Sequence, residues 1–143
     1  MTIASILAEK GSAVVTVHPD RTLEQAIHLL AEKSIGAVVV AREDGAVAGI
    51  LSERDIMRAL ARHGGAAFDA PVSGHMTAKV TTCARTTTVE EVMQMMTEGR
   101  FRHVPVCEEG RLVGLISIGD VVKRRIAIVE AEHQALRDYI TTG

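Results

Sequence analysis

Apolar positions along the chain change period in a fixed order, and the order occurs twice. A short β-branched segment, Ala13 to Val17, leads through a turn to Leu23, Ala26, Ile27, Leu29 and Leu30, whose spacing predicts a helix with one buried face. Thr22-Leu23-Glu24-Gln25 opens that helix with the Ser/Thr-x-x-Glu/Gln pattern, in which the first and fourth side chains cap each other's backbone N–H groups. Two apolar runs, Ala37 to Ala41 and Ala46 to Leu51, flank Glu43-Asp44-Gly45 and predict a hairpin; a last helix starts after Ser52. The second pass has a strand over Lys79 to Cys83 and a helix opened by Thr88-Val89-Glu90-Glu91, with Val89, Val92, Met93 and Met96 on one face. Its hairpin joins His103 to Cys107 with Arg111 to Ile116 around Glu108-Glu109-Gly110, and its last helix follows Ser117.

The two passes superimpose residue on residue. At an offset of 66, Thr16 meets Thr82, Thr22 meets Thr88, Glu24 meets Glu90, Val38 meets Val104 and Val40 meets Val106. After one gap the offset is 65, and Gly45, Gly49, Ser52 and Asp55 fall on Gly110, Gly114, Ser117 and Asp120. The gap lies in the hairpin loop, where length changes without disturbing packing. Each copy is too small to cover both faces of its sheet alone, so the two should pack on each other. The fold class expected is α/β (α+β): two tandem β-α-β-β-α repeats related by pseudo-twofold symmetry, with a long C-terminal helix. The Gly64-Gly65, Pro71 and Gly74 linker puts repeat one with an N-terminal helix at residues 1–68 and repeat two with the C-terminal helix at 69–143. Such symmetry sets equivalent residues across a cleft, and a ligand site there is expected twice.

Beyond Asp120 the helix is expected to reach Ile140. Val122, Ile126, Val129, His133, Leu136 and Ile140 alternate in steps of four and three, a coiled-coil-like stripe with one polar interruption. The stripe either folds back on its own domain or pairs with another chain. A subunit contact, and hence a homodimer, is favoured, because a tail leaving so small a domain has little of its own surface to cover.

Charge narrows the partners. With 16 Lys+Arg against 18 Asp+Glu the chain has no broad cationic field for nucleic acid or an anionic membrane. Three aromatic residues, Phe68, Phe101 and Tyr139, leave almost no stacking platform, so a bound base would lie against Val, Ile or Met. Ile35 to Ala41, the longest nearly apolar run, is about a third of a membrane span. The N-terminus lacks the basic start and apolar run of a secretion signal, and Cys83 and Cys107 have neither a CxxC nor a zinc spacing, so a cytoplasmic protein is expected.

Candidate chemistry concentrates in the repeated Gly49-Ile50-Leu51-Ser52-Glu53-Arg54-Asp55 and Gly114-Leu115-Ile116-Ser117-Ile118-Gly119-Asp120. Ser and Asp three apart are a helix cap in one reading, stabilising by about 1 kcal/mol. In the other, the free N–H groups of a helix start receive phosphate, Ser adds a hydroxyl, and the carboxylate accepts from both hydroxyls of a ribose. A second signal is Phe101-Arg102-His103-Val104-Pro105-Val106: Arg102 or His103 suits phosphate, and Pro105 marks a strand end or edge whose carbonyls are free to read an adenine edge. Copy one has Ile35-Gly36-Ala37 there, so the two clefts should be chemically unequal. The six His form no metal-ligating set, and Lys123-Arg124-Arg125 reads as a solvated face. Cys83 and Cys107 lie on neighbouring strands and read as small buried residues, with a redox pair as the alternative. No nucleophile stands beside a base, and no P-loop or dinucleotide fingerprint is present, so neither catalytic residues nor a catalytic cofactor are expected.

The doubled pattern, with Ile35-Gly36-Ala37-Val38-Val39-Val40 and Arg102-His103-Val104-Pro105-Val106 beside the two Ser-x-x-Asp segments, closely resembles a tandem pair of cystathionine β-synthase (CBS) domains, the Bateman module. The resemblance covers nearly the whole chain. It implies a regulatory fold that binds adenine nucleotides (AMP, ADP, ATP), and in some members NAD(H) or S-adenosylmethionine, between the repeats and signals occupancy to a regulated partner. It also implies that each site joins the Ser-x-x-Asp of one repeat to strand residues of the other. The favoured site would take Ser52, Arg54 and Asp55 with Thr81, Phe101, Arg102, His103 and Pro105. The second would take Ser117 and Asp120 with Val15, Ile35, Gly36 and Ala37. The alternative is a nucleotide-independent, dimeric interaction or scaffold protein in which Ser-x-x-Asp only caps.

Overall fold

A computed structural model describes residues 1–142. Helices begin where side chains can cap them. Thr22 Oγ1 accepts from the Gln25 N–H at 3.2 Å while Gln25 Oε1 accepts from the Thr22 N–H at 3.0 Å, opening α2 (Leu23–Lys33). Thr88 and Glu91 repeat the arrangement at α4 (Val89–Gly99). The other helices are α1 (Ile3–Lys10), α3 (Glu53–His63) and α5 (Ile118–Thr142), and two 3-10 turns, Gly64–Asp69 and Val72–Gly74, fill the linker.

The first half holds a three-stranded sheet, with β1 (Thr16–Val17) parallel to β2 (Ala37–Ala41) and β2 antiparallel to β3 (Val47–Ser52). The second pairs β4 (His103–Glu108) with β5 (Arg111–Ser117). Both hairpins shift register at the same place, between Val40 and Ala41 and between Val106 and Cys107, so the repeat extends to an irregularity of the ladder. The first strand of each copy is shorter than its β-branched run: Ala13–Val15 lie outside β1, and Lys79–Cys83 reduces to one parallel bridge from Cys83 to Val106. Edge segments lack a second neighbour, so side-chain preference alone does not hold them to the ladder.

Each half has its own core. Leu23, Ala26, Leu30, Val38, Val40, Leu51 and Ile56 form one; Val89, Val92, Met96, Val104, Val106, Ile116 and Val121 form the other. Val39 and Pro105, one position on from Val38 and Val104, are also buried but point to the opposite sheet face. Neither belongs to the core cluster of its own half. The hairpins also meet directly, with the Leu112 N–H donating to the Gly45 carbonyl at 2.9 Å.

The halves exchange their leading segments. Helix α1 comes first in the chain and would be grouped with the first half by order, yet Ile3, Ile6 and Leu7 are buried in the second core. Conversely Val72, which leads into the second half, is buried in the first core. The backbone repeats the exchange: the Ile3 N–H donates to the Thr87 carbonyl and the Val89 N–H to Met1, as the Val72 N–H donates to Arg21 and the Leu23 N–H to Ala70. These two arms, residues 1–10 and 69–77, cross between the halves.

Candidate functional site

Both Ser-x-x-Asp segments are reciprocal caps. Ser52 Oγ accepts from the Asp55 N–H at 3.4 Å, and Asp55 Oδ2 accepts from the N–H and hydroxyl of Ser52 at 2.9 and 3.0 Å. Ser117 and Asp120 match them, at 3.2 Å for the first bond and 2.9 Å for the other two. The caps leave the distal face of each carboxyl group for something else, and here the halves diverge. Asp55 is buried and its Oδ1 accepts from the Thr77 hydroxyl at 3.2 Å, so an arm residue already touches it. Asp120 instead takes an ion pair from Lys10 of the other arm at 2.5 Å. Burial alone would raise the Asp120 pKa, but hydrogen bonds from Lys10 and Ser117 outweigh it and hold the group below the usual carboxylate range.

Each aspartate opens onto a hollow between its helix and the crossing arm. The first, about 270 Å³, lies between Asp55, Arg58, Ala59 and Arg62 of α3 and the segment Gly74–Thr77. The second, about 250 Å³, lies between Asp120, Lys123, Arg124 and Ala127 of α5 and Ile6, Glu9 and Lys10 of α1. The helix residues correspond at offset 65, so the hollows are copies of one site related by the pseudo-twofold. Both are slightly smaller than the usual range for ligand pockets, which starts at about 300 Å³.

Their electrostatics differ. In the second hollow Lys10 holds Asp120, and Arg124 holds Glu9 at 3.1 Å, so ion pairs lace helix to arm. In the first, among the described residues, neither Arg58 nor Arg62 has a carboxylate within ion-pair distance, and His75 stands on the opposite wall. Two guanidinium groups without an ion pair thus stand beside a carboxylate, combining cations of the kind that bind phosphate with an acceptor for hydroxyl donors.

The remaining expected residues fall as follows. Ala37 pairs with Ser52, and the Gly36 carbonyl accepts from the Glu53 N–H at 3.0 Å; His103 pairs with Ser117, and the Arg102 carbonyl accepts from the Ile118 N–H at 2.8 Å. Backbone pairing thus sets each Ser-x-x-Asp beside the strand entry of its own half. His103 is half-buried, and its pKa is lowered by burial, then by Lys10 and Arg102, against the opposing pull of Asp120. Arg54, Thr81 and Arg102 are exposed; Val15 and Ile35 pack on the first core and Phe101 on the second.

Two expectations are corrected. Pro105 is not at a strand end or free edge: it lies inside β4, pairs with Leu115, and its carbonyl accepts from the Cys83 N–H at 3.0 Å. Proline is tolerated because the ladder needs only its carbonyl on that side. Arg124 is not part of a solvated face, since its side chain is 18% exposed, pairs with Glu9 and keeps a buried Nε without a hydrogen-bond partner. Sequence reasoning also passed over Lys10, Arg58, Arg62, His75 and Thr77. Arg58 and Arg62 had a signal, because positions three and seven after Asp55 share its helix face and Lys123 repeats the first of them. Cys83 is buried, and burial, with Cys107 adding to it, pushes its thiol up to about 11; burial also raises Cys107.

The CBS domain family matches residues 11–62 and 72–127, one copy within each repeat. The chain belongs to the CBS-domain family. It is a tandem CBS pair. The CBS-domain containing protein ATU1752 from Agrobacterium tumefaciens superposes with a TM-score of 0.83 at 49% identity, over 87% of this chain and 99% of that one. The mitochondrial CBS domain-containing protein CBSX3 of Arabidopsis thaliana is 33% identical over 99% of this chain and 73% of its own length. The CBS domain pair of protein MJ0100, in complex with 5'-methylthioadenosine and S-adenosyl-L-methionine, has the same fold at 23% identity, with a TM-score of 0.79 over 89% of this chain and 97% of that chain. Among the described residues of this CBS pair no three His, Cys, Asp or Glu cluster for a metal, and no helix is long and apolar enough to cross a membrane.

Proposed function

We propose that this CBS pair is a regulatory module that binds an adenine nucleotide (AMP, ADP or ATP, with NAD(H) as a further candidate) between its repeats, works as a homodimer and passes occupancy to a regulated partner protein without catalysis. The observation that carries the reading is the hollow at Asp55. A carboxylate suited to a ribose diol, two unpaired arginines suited to phosphate and an apolar Met76 lie on two walls, one from α3 and one from the arm entering the other half. The favoured cleft takes Ser52, Arg54 and Asp55 with Thr81, Phe101, Arg102, His103 and Pro105. Its support is chain continuity, because the wall ending at Thr77 leads within four residues to Thr81. Pro105 would offer an apolar contact only. The second cleft takes Ser117 and Asp120 with Val15, Ile35, Gly36 and Ala37, and there a ligand must displace the Lys10 ion pair from Asp120, against only the neutral Thr77 hydroxyl at Asp55. The favoured cleft should therefore load first. The adenosine compounds named with the MJ0100 pair support the ligand class.

A ligand spanning helix and arm ties the halves together, which is how occupancy would alter the surface shown to a partner. The competing reading, a scaffold whose aspartates only cap, draws on the completeness of both caps. Isothermal titration with AMP, ATP and NADH separates the two, with mass spectrometry of any compound that survives purification. Binding is expected with at least one. Ligand at a hundred times Kd should stabilise the fold by about 2.7 kcal/mol. No heat and no rise in Tm with any of the three would leave the scaffold.

A further inference from the structure

The far end of α5 carries an apolar stripe that the chain leaves uncovered. Val122, Ile126, Leu136 and Ile140 are 46, 54, 57 and 68% exposed, and with half-buried Val129 and exposed His133 they keep the alternation of four and three. The CBS match ends at residue 127, so most of the stripe lies beyond what the family fold needs.

The charges flanking the stripe identify its occupant. In a coiled coil Ile126, His133 and Ile140 take one seam position, and Val122, Val129 and Leu136 the other. Arg125 and Glu132 then precede the first set, and Lys123, Glu130 and Arg137 follow the second. In a parallel pair each preceding residue meets the following residue five positions on in the other helix. Arg125 then faces Glu130 of the partner subunit, and Glu132 faces Arg137 of the partner subunit, so both contacts join opposite charges. The antiparallel alignment of the same stripe sets Glu130 and Glu132 against their own counterparts and Lys123 against Arg137 of the partner subunit, all like charges. Among the described residues the one ion pair of Arg125 is a 3.9 Å contact to the exposed Glu90, which is weak competition. His133 at the seam is the kind of polar residue that specifies register at a cost in stability.

We propose that α5 from Val122 to Ile140 is a parallel, in-register docking surface for a second copy of this chain. The homodimer of the preceding section is thereby given an interface, and this interface does not depend on the nucleotide reading, because its tests read mass and cross-linking.

The first test introduces Ile140→Cys into the full chain and oxidises it mildly with oxidised glutathione. The parallel pairing sets residue 140 beside its own counterpart, and a covalent dimer should appear that wild type, with only its native cysteines, does not form. The antiparallel pairing would separate the two thiols by about 27 Å. The second test compares Arg125→Glu/Arg137→Glu with Glu130→Arg/Glu132→Arg by sedimentation equilibrium. Each alone should self-associate at least tenfold more weakly than wild type, and an equimolar mixture should recover wild-type association. Monomeric wild type, or a folded Ile140→Cys chain that does not cross-link, overturns the proposal. So does charge-variant self-association equal to wild type.

Discussion

Asn in place of Asp55 separates what the carboxylate does for the helix from what it does for a ligand. The native side chain accepts from the Ser52 N–H and hydroxyl through Oδ2 and from the Thr77 hydroxyl through Oδ1, and it is 8% exposed. The amide oxygen of Asn can keep the Ser52 N–H bond, and its NH2 can donate to Thr77 in place of accepting. What disappears is the charge, and a bond to a charged group contributes about 1.5–3 kcal/mol against about 1 kcal/mol for a neutral one. The unliganded fold should therefore lose about 1 kcal/mol, or about 3 °C in Tm for a chain of this length. A ribose diol has two hydroxyls to donate, and the amide meets one of them with a donor, leaving it unpaired. Binding should weaken by about 1.5–3 kcal/mol, roughly 10- to 150-fold. Titration calorimetry with AMP, beside thermal melts of the unliganded protein, measures both quantities. The matched Asp120→Asn variant loses the Lys10 ion pair as well; its effect on the fold should be larger by about 1 kcal/mol, a figure kept small because Lys10 is 35% exposed. If nucleotide affinity stays within twofold of wild type in both variants while the melts shift, the aspartates are caps alone and the proposed ribose contact is wrong.

Three other outcomes test the structure around the site. A methyl group on Gly49 would lie 2.6 Å from the Thr77 carbonyl, part of a bonded backbone bridge, whereas one on Gly114 would meet the end of the Leu7 side chain at 2.7 Å. Gly49→Ala should cost about 3 kcal/mol and Gly114→Ala about 1–2 kcal/mol in urea unfolding, and equal costs would argue against the crossing arms. Acid should destabilise the protein in two stages. The folded state keeps His103 neutral below its ordinary 6.5, so the unfolded chain takes up that proton first and stability falls as pH drops through that value. Asp120, held below its ordinary 3.8, adds a second loss at lower pH, and melts that stay flat from about pH 8 to about pH 5 would contradict the first stage. Finally, the buried Cys83, pushed up to about 11, should resist iodoacetamide at neutral pH until the chain unfolds, which mass spectrometry of the alkylated peptide reads directly.

Of the two hollows only the capped aspartates were legible, because their partners are local. The pairs Ser52–Asp55 and Ser117–Asp120 are cap partners three residues apart, and the hairpins around Gly45 and Gly110 announce themselves by turn chemistry and alternation. Arg58 and Arg62 could have been added from helical spacing. Lys10 could not, since nothing near it in sequence points to a residue 110 positions away. The free-edge reading of Pro105 failed for a related reason: whether a strand has a second neighbour depends on where Cys83 docks, which β propensity does not report.

The sequence by itself determined the hairpins and the helices that follow them, their doubled order, the capped starts of α2, α3 and α4 and the stripe along α5, because hydrogen bonds within four residues and a regular apolar period express these directly. Only the tertiary structure decided that α1 belongs to the second core and Val72 to the first, and that Lys10 closes on Asp120 while Arg58 and Arg62 stay open. Those outcomes rest on contacts between segments far apart in the chain. Such contacts carry no period, and several apolar surfaces of similar size compete for each arm. The choice among them is made by shape and charge once both halves are folded.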